Sequence, residues 1–139
     1  MMTDMQLIET ANRARGRAYA PYSGFSVGAA LLAEDGTVYT GCNIENASFS
    51  ATCCAERTAF ACAVADGKRS FLKIAVMGSR AGKDPDRFFM PCGICRQVMR
   101  EFCKDDFVIL VSDGKEICSR TLAELLPGSF SGEALEDRT

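Results

Sequence analysis

Three cysteines in two short motifs constrain this chain more than any other feature, because the chain contains no histidine. Cys54 stands two residues before Glu56, and Cys92 and Cys95 form a Cys-x-x-Cys motif that begins 36 residues after that glutamate. Without histidine, hydrolytic or metal chemistry must use thiolates, carboxylates and bound ions. Three thiolates can hold one zinc ion and leave its fourth position open for water, which is typical of catalytic zinc sites.

The surroundings of the cysteines favour this interpretation. Both motifs are predicted to begin helices, so that the thiolates face positive helix ends, which lowers their pKa and eases metal binding. In a first helical turn, Glu56 can reach over the metal and take a proton from bound water without being a ligand. Three thiolates and Zn²⁺ leave a net negative charge, and we expect the adjacent Arg57 and Arg96 to balance it by donating to sulfur.

The residues alone leave alternatives open. A Cys-x-x-Cys motif at a helix start also occurs in thioredoxin-type redox proteins, and Cys92 and Cys95 by themselves fit either role equally well. A non-enzymatic, zinc-stabilised binding module is a further alternative, which would have a closed fourth position. Cys53 could replace Cys54 as the ligand, but only Cys54 has the required offset from Glu56. The other cysteines are expected to be core residues or idle thiols: Cys42, Cys62, Cys103 and Cys118.

Composition limits the class of protein. The 139 residues are 47% hydrophobic and 24% charged, which predicts one globular domain over residues 1–139. The net charge is −2 and the basic residues are scattered, so we expect no nucleic-acid polymer as a partner. No apolar stretch approaches the roughly 20 residues that span a bilayer, and the N-terminus lacks a signal-peptide pattern. Eight cysteines at such spacings then favour the reducing cytoplasm over a disulfide framework.

Hydrophobic periodicity and turn residues predict an α/β fold. A hairpin with an Asp-Gly turn comes first, and strands then alternate with helices. We therefore expect a single-domain, three-layer α/β/α architecture with one mixed sheet of about five strands. The predicted helices are residues 4–20, 53 or 54 to 66, 93–102 and a short one after the Thr121–Glu124 capping box, and the predicted strands are residues 26–33, 37–42, 72–77, 108–111 and 116–119.

Five motifs in order resemble those of the small homotetrameric, zinc-dependent cytidine deaminases. Residues 54–59 and 91–97 resemble the zinc motifs of that family. Residues 21–31 resemble its N-terminal segment, residues 41–48 the end of its nucleoside-binding strand, and residues 125–130 its C-terminal motif. The resemblance implies a cytidine deaminase-like fold and hydrolysis of cytidine and deoxycytidine to the uridines and ammonia, in pyrimidine salvage. It also implies a homotetramer with active sites shared between subunits.

The resemblance implies a role for each matched residue. Cys54, Cys92 and Cys95 would bind one Zn²⁺ per subunit, and Glu56 would be the proton shuttle. The substrate contacts would be as follows: Asn43 and Glu45 on the ribose hydroxyls, Phe25 against the nucleoside, the Ala55 backbone on the pyrimidine, and Phe130 on the base in a neighbouring subunit's site. No organic cofactor is required.

Two departures from the family pattern bear on the pocket. Phe49 stands where family members often have tyrosine, and the loop of residues 79–90 is longer and more charged than expected. Blasticidin-type deaminases share the zinc motifs, although the ribose-binding stretch around Asn43 and Glu45 favours cytidine. Because a carboxylate repels phosphate, Glu45 further predicts a preference for free nucleosides over nucleotides.

Overall fold

The computed structural model describes residues 1–136, in which four helices and five strands are arranged as one layered unit. The helices are α1 (Asp4–Ala14), α2 (Ala55–Ala65), α3 (Gly93–Phe102) and α4 (Leu122–Leu125). The strands are β1 (Phe25–Ala33), β2 (Val38–Cys42), β3 (Phe71–Arg80), β4 (Val108–Ser112) and β5 (Ile117–Thr121). Short 3₁₀ turns cover Arg15–Arg17, Phe49–Ala51 and Gly132–Leu135.

The strands form one mixed sheet in the order β2-β1-β3-β4-β5. β1 runs antiparallel to both β2 and β3, β3 and β4 are parallel, and β5 returns antiparallel to β4. The parallel pair needs a crossover, and α3 lies within that connection. The predicted mixed sheet of about five strands is therefore confirmed.

Alternate residues of the central strands bury opposite faces of the sheet. Ala29 and Leu31 of β1 lie in one apolar cluster with Ala59 and Phe60 of α2 and Met99 of α3. On the other face, α1 packs against the sheet through the second apolar cluster, which comprises Leu7, Ile8, Ala11, Ala30, Leu32, Ala75, Met77 and Leu110. Two-residue periodicity along β1 thus produces the predicted three layers, with helices on both faces.

Two predicted boundaries were wrong. The first helix ends at Ala14 rather than near residue 20, because Tyr19 pairs in extended conformation with Ile44. β3 continues to Arg80 instead of ending near residue 77, because β1 offers it pairing partners as far as Phe25. In both cases a tertiary contact overrides the local sequence signal, which is common at element ends.

Helix α2 lies directly on the edge hairpin. A Cβ atom at Gly41 would stand 2.4 Å from the Ala55 carbonyl oxygen and 2.5 Å from the Ala59 nitrogen, so glycine permits the close approach. The first turn of α2, which carries Glu56, is thereby held against β2. In residues 1–136, no helix combines the length and apolar character that a membrane span requires.

Candidate active site

The structure brings the three predicted metal-binding cysteines together. The sulfur atoms of Cys54, Cys92 and Cys95 all lie within 4.8 Å of one another. The Cys54 and Cys92 sulfurs are 3.8 Å apart, and the Cys92 and Cys95 sulfurs are 3.3 Å apart. Thiolates bound tetrahedrally to zinc at about 2.3 Å would stand about 3.8 Å apart. Small side-chain adjustments therefore suffice for one ion to reach all three sulfurs.

Two helix N-termini supply these sulfurs. Cys54 is the N-cap of α2 and Cys92 is the N-cap of α3, and neither side chain caps its own helix. Cys95 lies three residues after Cys92 on the first turn of α3 and is fully buried. The thiolates thus occupy the positive ends of two helices, where negative charge is stabilised. Cys54, and not its neighbour Cys53, belongs to the cluster.

A small backbone ladder positions the first cysteine. Cys53 and Ile44 exchange two backbone hydrogen bonds of 2.9 Å, and Ile44 also pairs with Tyr19. This ladder places the segment of Asn43 and Glu45 directly beside the start of α2. The predicted ribose-binding segment and the cysteine cluster are therefore neighbours.

Glu56 lies in the first turn of α2 with only 4% of its surface exposed, next to the fully buried Ala55. Burial raises the pKa of the Glu56 carboxyl, and the nearby charge of Cys54 raises it further. A hydrogen bond from the Cys95 thiol and the charge of Arg57 act in the opposite direction. A buried carboxyl with a raised pKa next to a candidate metal site is suited to accepting and releasing protons during a reaction.

Arg57, which the sequence analysis expects to balance charge at the sulfurs, lies beside one of them. Its Nη2 lies 3.5 Å from the Cys54 sulfur and donates to the Thr52 carbonyl oxygen at 3.1 Å. A hydrogen bond from Cys95 and another from Arg57 lower the pKa of the Cys54 thiol to about 5. The contact with Cys54 holds the pKa of Arg57 above its usual range, and the shared hydrogen bond with Cys54 raises the pKa of Cys95. Negative charge therefore concentrates on Cys54.

The prediction for Arg96 was wrong in its contacts. The Arg96 guanidinium does not donate to sulfur but to two backbone carbonyls, those of Pro91 at 2.8 Å and Leu125 at 2.7 Å. Its planar fork suits two acceptors on different segments better than a single sulfur. Arg96 thus fixes the peptide that leads into Cys92 and ties it to the end of α4.

The predicted ribose-binding residues have structural partners of their own. The Asn43 side chain accepts from the Val27 amide and donates to the Phe25 carbonyl oxygen, both at 2.9 Å, and it is 8% exposed. The Glu45 carboxylate accepts from the Tyr22 and Ser23 amides at 2.9 and 3.0 Å, and also from the Ser23 hydroxyl.

These hydrogen bonds leave both side chains with acceptor capacity. The hydrogen bonds from the Ser23 hydroxyl and amide lower the pKa of Glu45, so its carboxylate is charged at neutral pH. Asn43 therefore holds the first residues of β1 and Glu45 holds the segment before it, and each side chain retains a lone pair for a ligand.

The aromatic residues differ in exposure. Phe25 is half-buried, with its ring centroid 5.7 Å from that of Phe89. Phe130 is 60% exposed and therefore has no place in this subunit's core. Phe49, which stands where a tyrosine is common, is 75% exposed and contacts the Tyr22 ring edge-on at 5.9 Å. The Phe25 ring packs within its own subunit, whereas the Phe130 ring is available to another molecule.

Comparison with known proteins agrees with this geometry. A family model described as the cytidine and deoxycytidylate deaminase zinc-binding region matches residues 1–111. The chain belongs to this family. A cytidine deaminase from Sporosarcina psychrophila is 53% identical over 131 residues, which are 94% of this chain and 93% of that protein. The crystal structure of cytidine deaminase from Burkholderia pseudomallei aligns with a TM-score of 0.84 at 45% identity, over 93% of this chain and 100% of that one.

A more distant relative is named for a different substrate. A blasticidin-S deaminase from Bacillus cereus is 30% identical over 131 residues, which are 92% of each protein. Membership in a deaminase family removes the redox and structural-zinc alternatives for this chain.

The donor set fits Zn²⁺. Three thiolates at two helix ends are soft ligands of the kind that select zinc, and they leave one tetrahedral position open. The buried Nε of Arg57 has no hydrogen-bond partner within residues 1–136, so the guanidinium has donor capacity to spare beside the sulfurs. The family and the cysteine cluster therefore agree on zinc as the metal.

Sequence reasoning missed one contact of α3. The Gln97 Nε2 donates to the Phe130 carbonyl oxygen at 2.9 Å. Together with the Arg96 contact to Leu125, this bond ties the C-terminal motif to the helix that begins with Cys92. The adjacent Arg-Gln pair after the Cys-x-x-Cys motif was a visible signal, but its partners lie about 30 residues further along the chain.

Proposed function

We propose that the protein hydrolyses cytidine and deoxycytidine to uridine and deoxyuridine with release of ammonia, using one zinc ion held by Cys54, Cys92 and Cys95. The observation that carries the proposal is a buried glutamate, Glu56, directly beside a three-thiol cluster at two helix N-termini. Zinc deaminases combine such a cluster with a glutamate that is not a ligand. The identity with cytidine deaminases supports the substrate.

Zinc held by Cys54, Cys92 and Cys95 would lower the pKa of a bound water, as catalytic zinc ions do. Glu56 accepts a proton from the attacking water and delivers it to ring N3, which makes C4 of the pyrimidine electrophilic. The hydroxide that remains bonds to C4 and gives a tetrahedral intermediate. Glu56 then takes the proton of the new C4 hydroxyl and delivers it to the amine, so that the bond between C4 and the amine breaks, ammonia leaves and the C4 carbonyl of uridine forms. Burial of Glu56 supports both steps, since its raised pKa favours holding a proton between the two transfers.

Four further groups would bind the nucleoside. Asn43 and Glu45 use their remaining acceptor capacity for ribose hydroxyls, the Ala55 backbone orients the pyrimidine, and Phe25 packs against the nucleoside. The charged Glu45 repels a phosphate on the same sugar, so we expect cytidine to be preferred over its 5′-monophosphate.

Assembly would complete the site. Phe130, which is 60% exposed, would stack on the base in a neighbouring subunit's site within a homotetramer. None of the eight cysteines forms a disulfide, which supports a place in the reducing cytoplasm. A place in pyrimidine salvage follows from the proposed reaction. Cross-linking or light scattering of the purified protein measures the assembly directly.

Ultraviolet monitoring of cytidine with purified protein tests the proposal, with zinc content measured on the same sample. We expect turnover by the unmodified protein and almost none by Glu56→Gln, which should retain its zinc. Parallel assays with deoxycytidine, cytidine 5′-monophosphate and blasticidin S determine the substrate range. Faster turnover of blasticidin S than of cytidine would assign the chain to the blasticidin-type enzymes, and full activity in Glu56→Gln would refute the role of Glu56.

A further inference from the structure

The long loop before Cys92 is anchored to the body of the protein at its start. The Ser79 hydroxyl donates to the Lys83 carbonyl oxygen at 2.6 Å, and Arg15 Nη2 donates to the same oxygen at 3.1 Å. Further along, a Cβ atom at Gly114 would stand 2.8 Å from the Pro85 carbonyl oxygen, so the loop also touches the β4–β5 turn. Contacts at two separate points therefore hold this loop against the 3₁₀ turn that follows α1 and against the β4–β5 turn.

The last part of the loop packs on β3 through one aromatic ring. A Cβ atom at Gly78 would stand 2.6 Å from two ring atoms of Phe89. Gly78 does not have a positive φ, so glycine is needed here for space and not for backbone conformation. The Phe89 ring therefore lies directly against the main chain of β3. Phe89 is also only three residues before Cys92, at the approach to the candidate metal site.

The Phe89 ring packs against the Phe25 ring. The two ring centroids are 5.7 Å apart at a tilt of 44°, within the range of favourable aromatic contacts. The Arg80 guanidinium lies 4.9 Å from the Phe25 centroid, and the Phe25 carbonyl oxygen accepts from Asn43. Backbone pairing and the Phe89 and Arg80 side chains leave the Phe25 ring little freedom to change its orientation.

We propose that Phe89 is a positioning residue for nucleoside binding, which acts by holding the Phe25 ring in the orientation that contacts the substrate. This inference rests on the proposed function, in which Phe25 packs against the nucleoside. Phe89 does not touch the reacting atoms. Losing it frees the Phe25 ring, so binding weakens while the proton transfers of Glu56 continue unchanged.

Kinetics of Phe89→Leu and Phe89→Ala test the proposal. An aromatic pair contributes about 0.5–1.5 kcal/mol beyond its area, which corresponds to about a 2- to 12-fold increase in KM for cytidine. We expect the inhibition constant of the product uridine to rise by the same factor, with kcat and zinc content close to those of the unmodified protein. Phe89→Tyr, which retains the ring, should restore KM. Phe88→Ala is the matched control, because Phe88 is the adjacent phenylalanine and is 41% exposed.

Gly78→Ala gives an independent test, since the new methyl group would push the Phe89 ring off β3. It should raise KM in the unmodified background and have little effect in Phe89→Ala, because coupled residues are non-additive. Thermal unfolding identifies any variant that fails to fold.

Three outcomes would overturn the inference. The first is a KM for Phe89→Ala no larger than that of Phe88→Ala. The second is a loss confined to kcat and zinc content, which would assign Phe89 to the Cys92 loop instead. The third is the absence of cytidine turnover by the unmodified protein, which would overturn this inference and the proposed function together.

Discussion

Replacing Arg57 by methionine should weaken zinc binding, because it removes the cation nearest to the cysteine sulfurs while keeping an apolar stem. The guanidinium Nη2 is 3.5 Å from the Cys54 sulfur. A hydrogen bond to a charged group contributes about 1.5–3 kcal/mol. Arg57 is half-buried, so screening by solvent favours the lower half of that range. We therefore expect the zinc dissociation constant to rise about 10- to 50-fold, within the 10- to 100-fold typical of groups that support metal ligands.

Competition with a chromophoric zinc chelator measures this effect. Arg87→Met is the matched control, since it removes the same charge from a side chain that is 60% exposed and paired with Asp86. Arg57→Lys should fall between the unmodified protein and Arg57→Met, because lysine keeps the charge without the planar fork. The reasoning is refuted if Arg57→Met binds zinc within about threefold of Arg87→Met.

Three other changes test separate parts of the structure. Glu56→Gln should lower kcat about 10²- to 10⁴-fold at unchanged zinc content, as steady-state kinetics and metal analysis can show. Gly28→Ala would place a Cβ 2.1 Å from the Ala11 carbonyl oxygen, so chemical denaturation should reveal a loss of about 1–3 kcal/mol as α1 is displaced. Burial raises the pKa of the Cys103 thiol to about 12 in the folded protein. As pH rises from about 9 towards 12, the thiol loses its proton in the unfolded chain but keeps it in the folded protein, so the free energy of unfolding falls. By pH 10 the loss should reach about 1–2 kcal/mol, and Cys103→Ala should show a shallower decline.

The sequence predicted the layers of the fold well because their signals are local. The Asp-Gly turn, the alternating apolar residues of β1 and the Thr121–Glu124 capping box each depend on neighbours within a few residues, and all three features are present. The ends of α1 and β3 were wrong because partners distant in sequence decide them. Tyr19 leaves the helical pattern to pair with Ile44, and polar residues at the end of β3 look like a loop until β1 lies beside them.

In the candidate site, too, local sequence signals predict some features, and contacts between distant segments decide the others. The three cysteines and Glu56 could be predicted because each motif occupies one helical turn with a fixed spacing. The contacts of Arg96 could not, because the Leu125 carbonyl oxygen becomes a partner only when α4 folds back on α3. Likewise, no pattern in the sequence indicates that the Asn43 side chain binds the backbone on either side of Ser26.

Two helix N-termini and one arginine together stabilise the negative charge of the three cysteine thiolates. Three thiolates repel one another. Within residues 1–136, Arg57 is the one cationic side chain that donates a hydrogen bond to a cysteine sulfur. Placing Cys54 and Cys92 at the N-caps of two helices adds positive potential that requires no further cation. Burial raises the pKa of Glu56 even though this residue lies in the first turn of α2, where the positive helix end and the charge of Arg57 act to lower it. A further lysine or arginine beside the sulfurs would lower the pKa of Glu56 in the same way as Arg57 does, and so reduce the proton affinity that its role in catalysis needs.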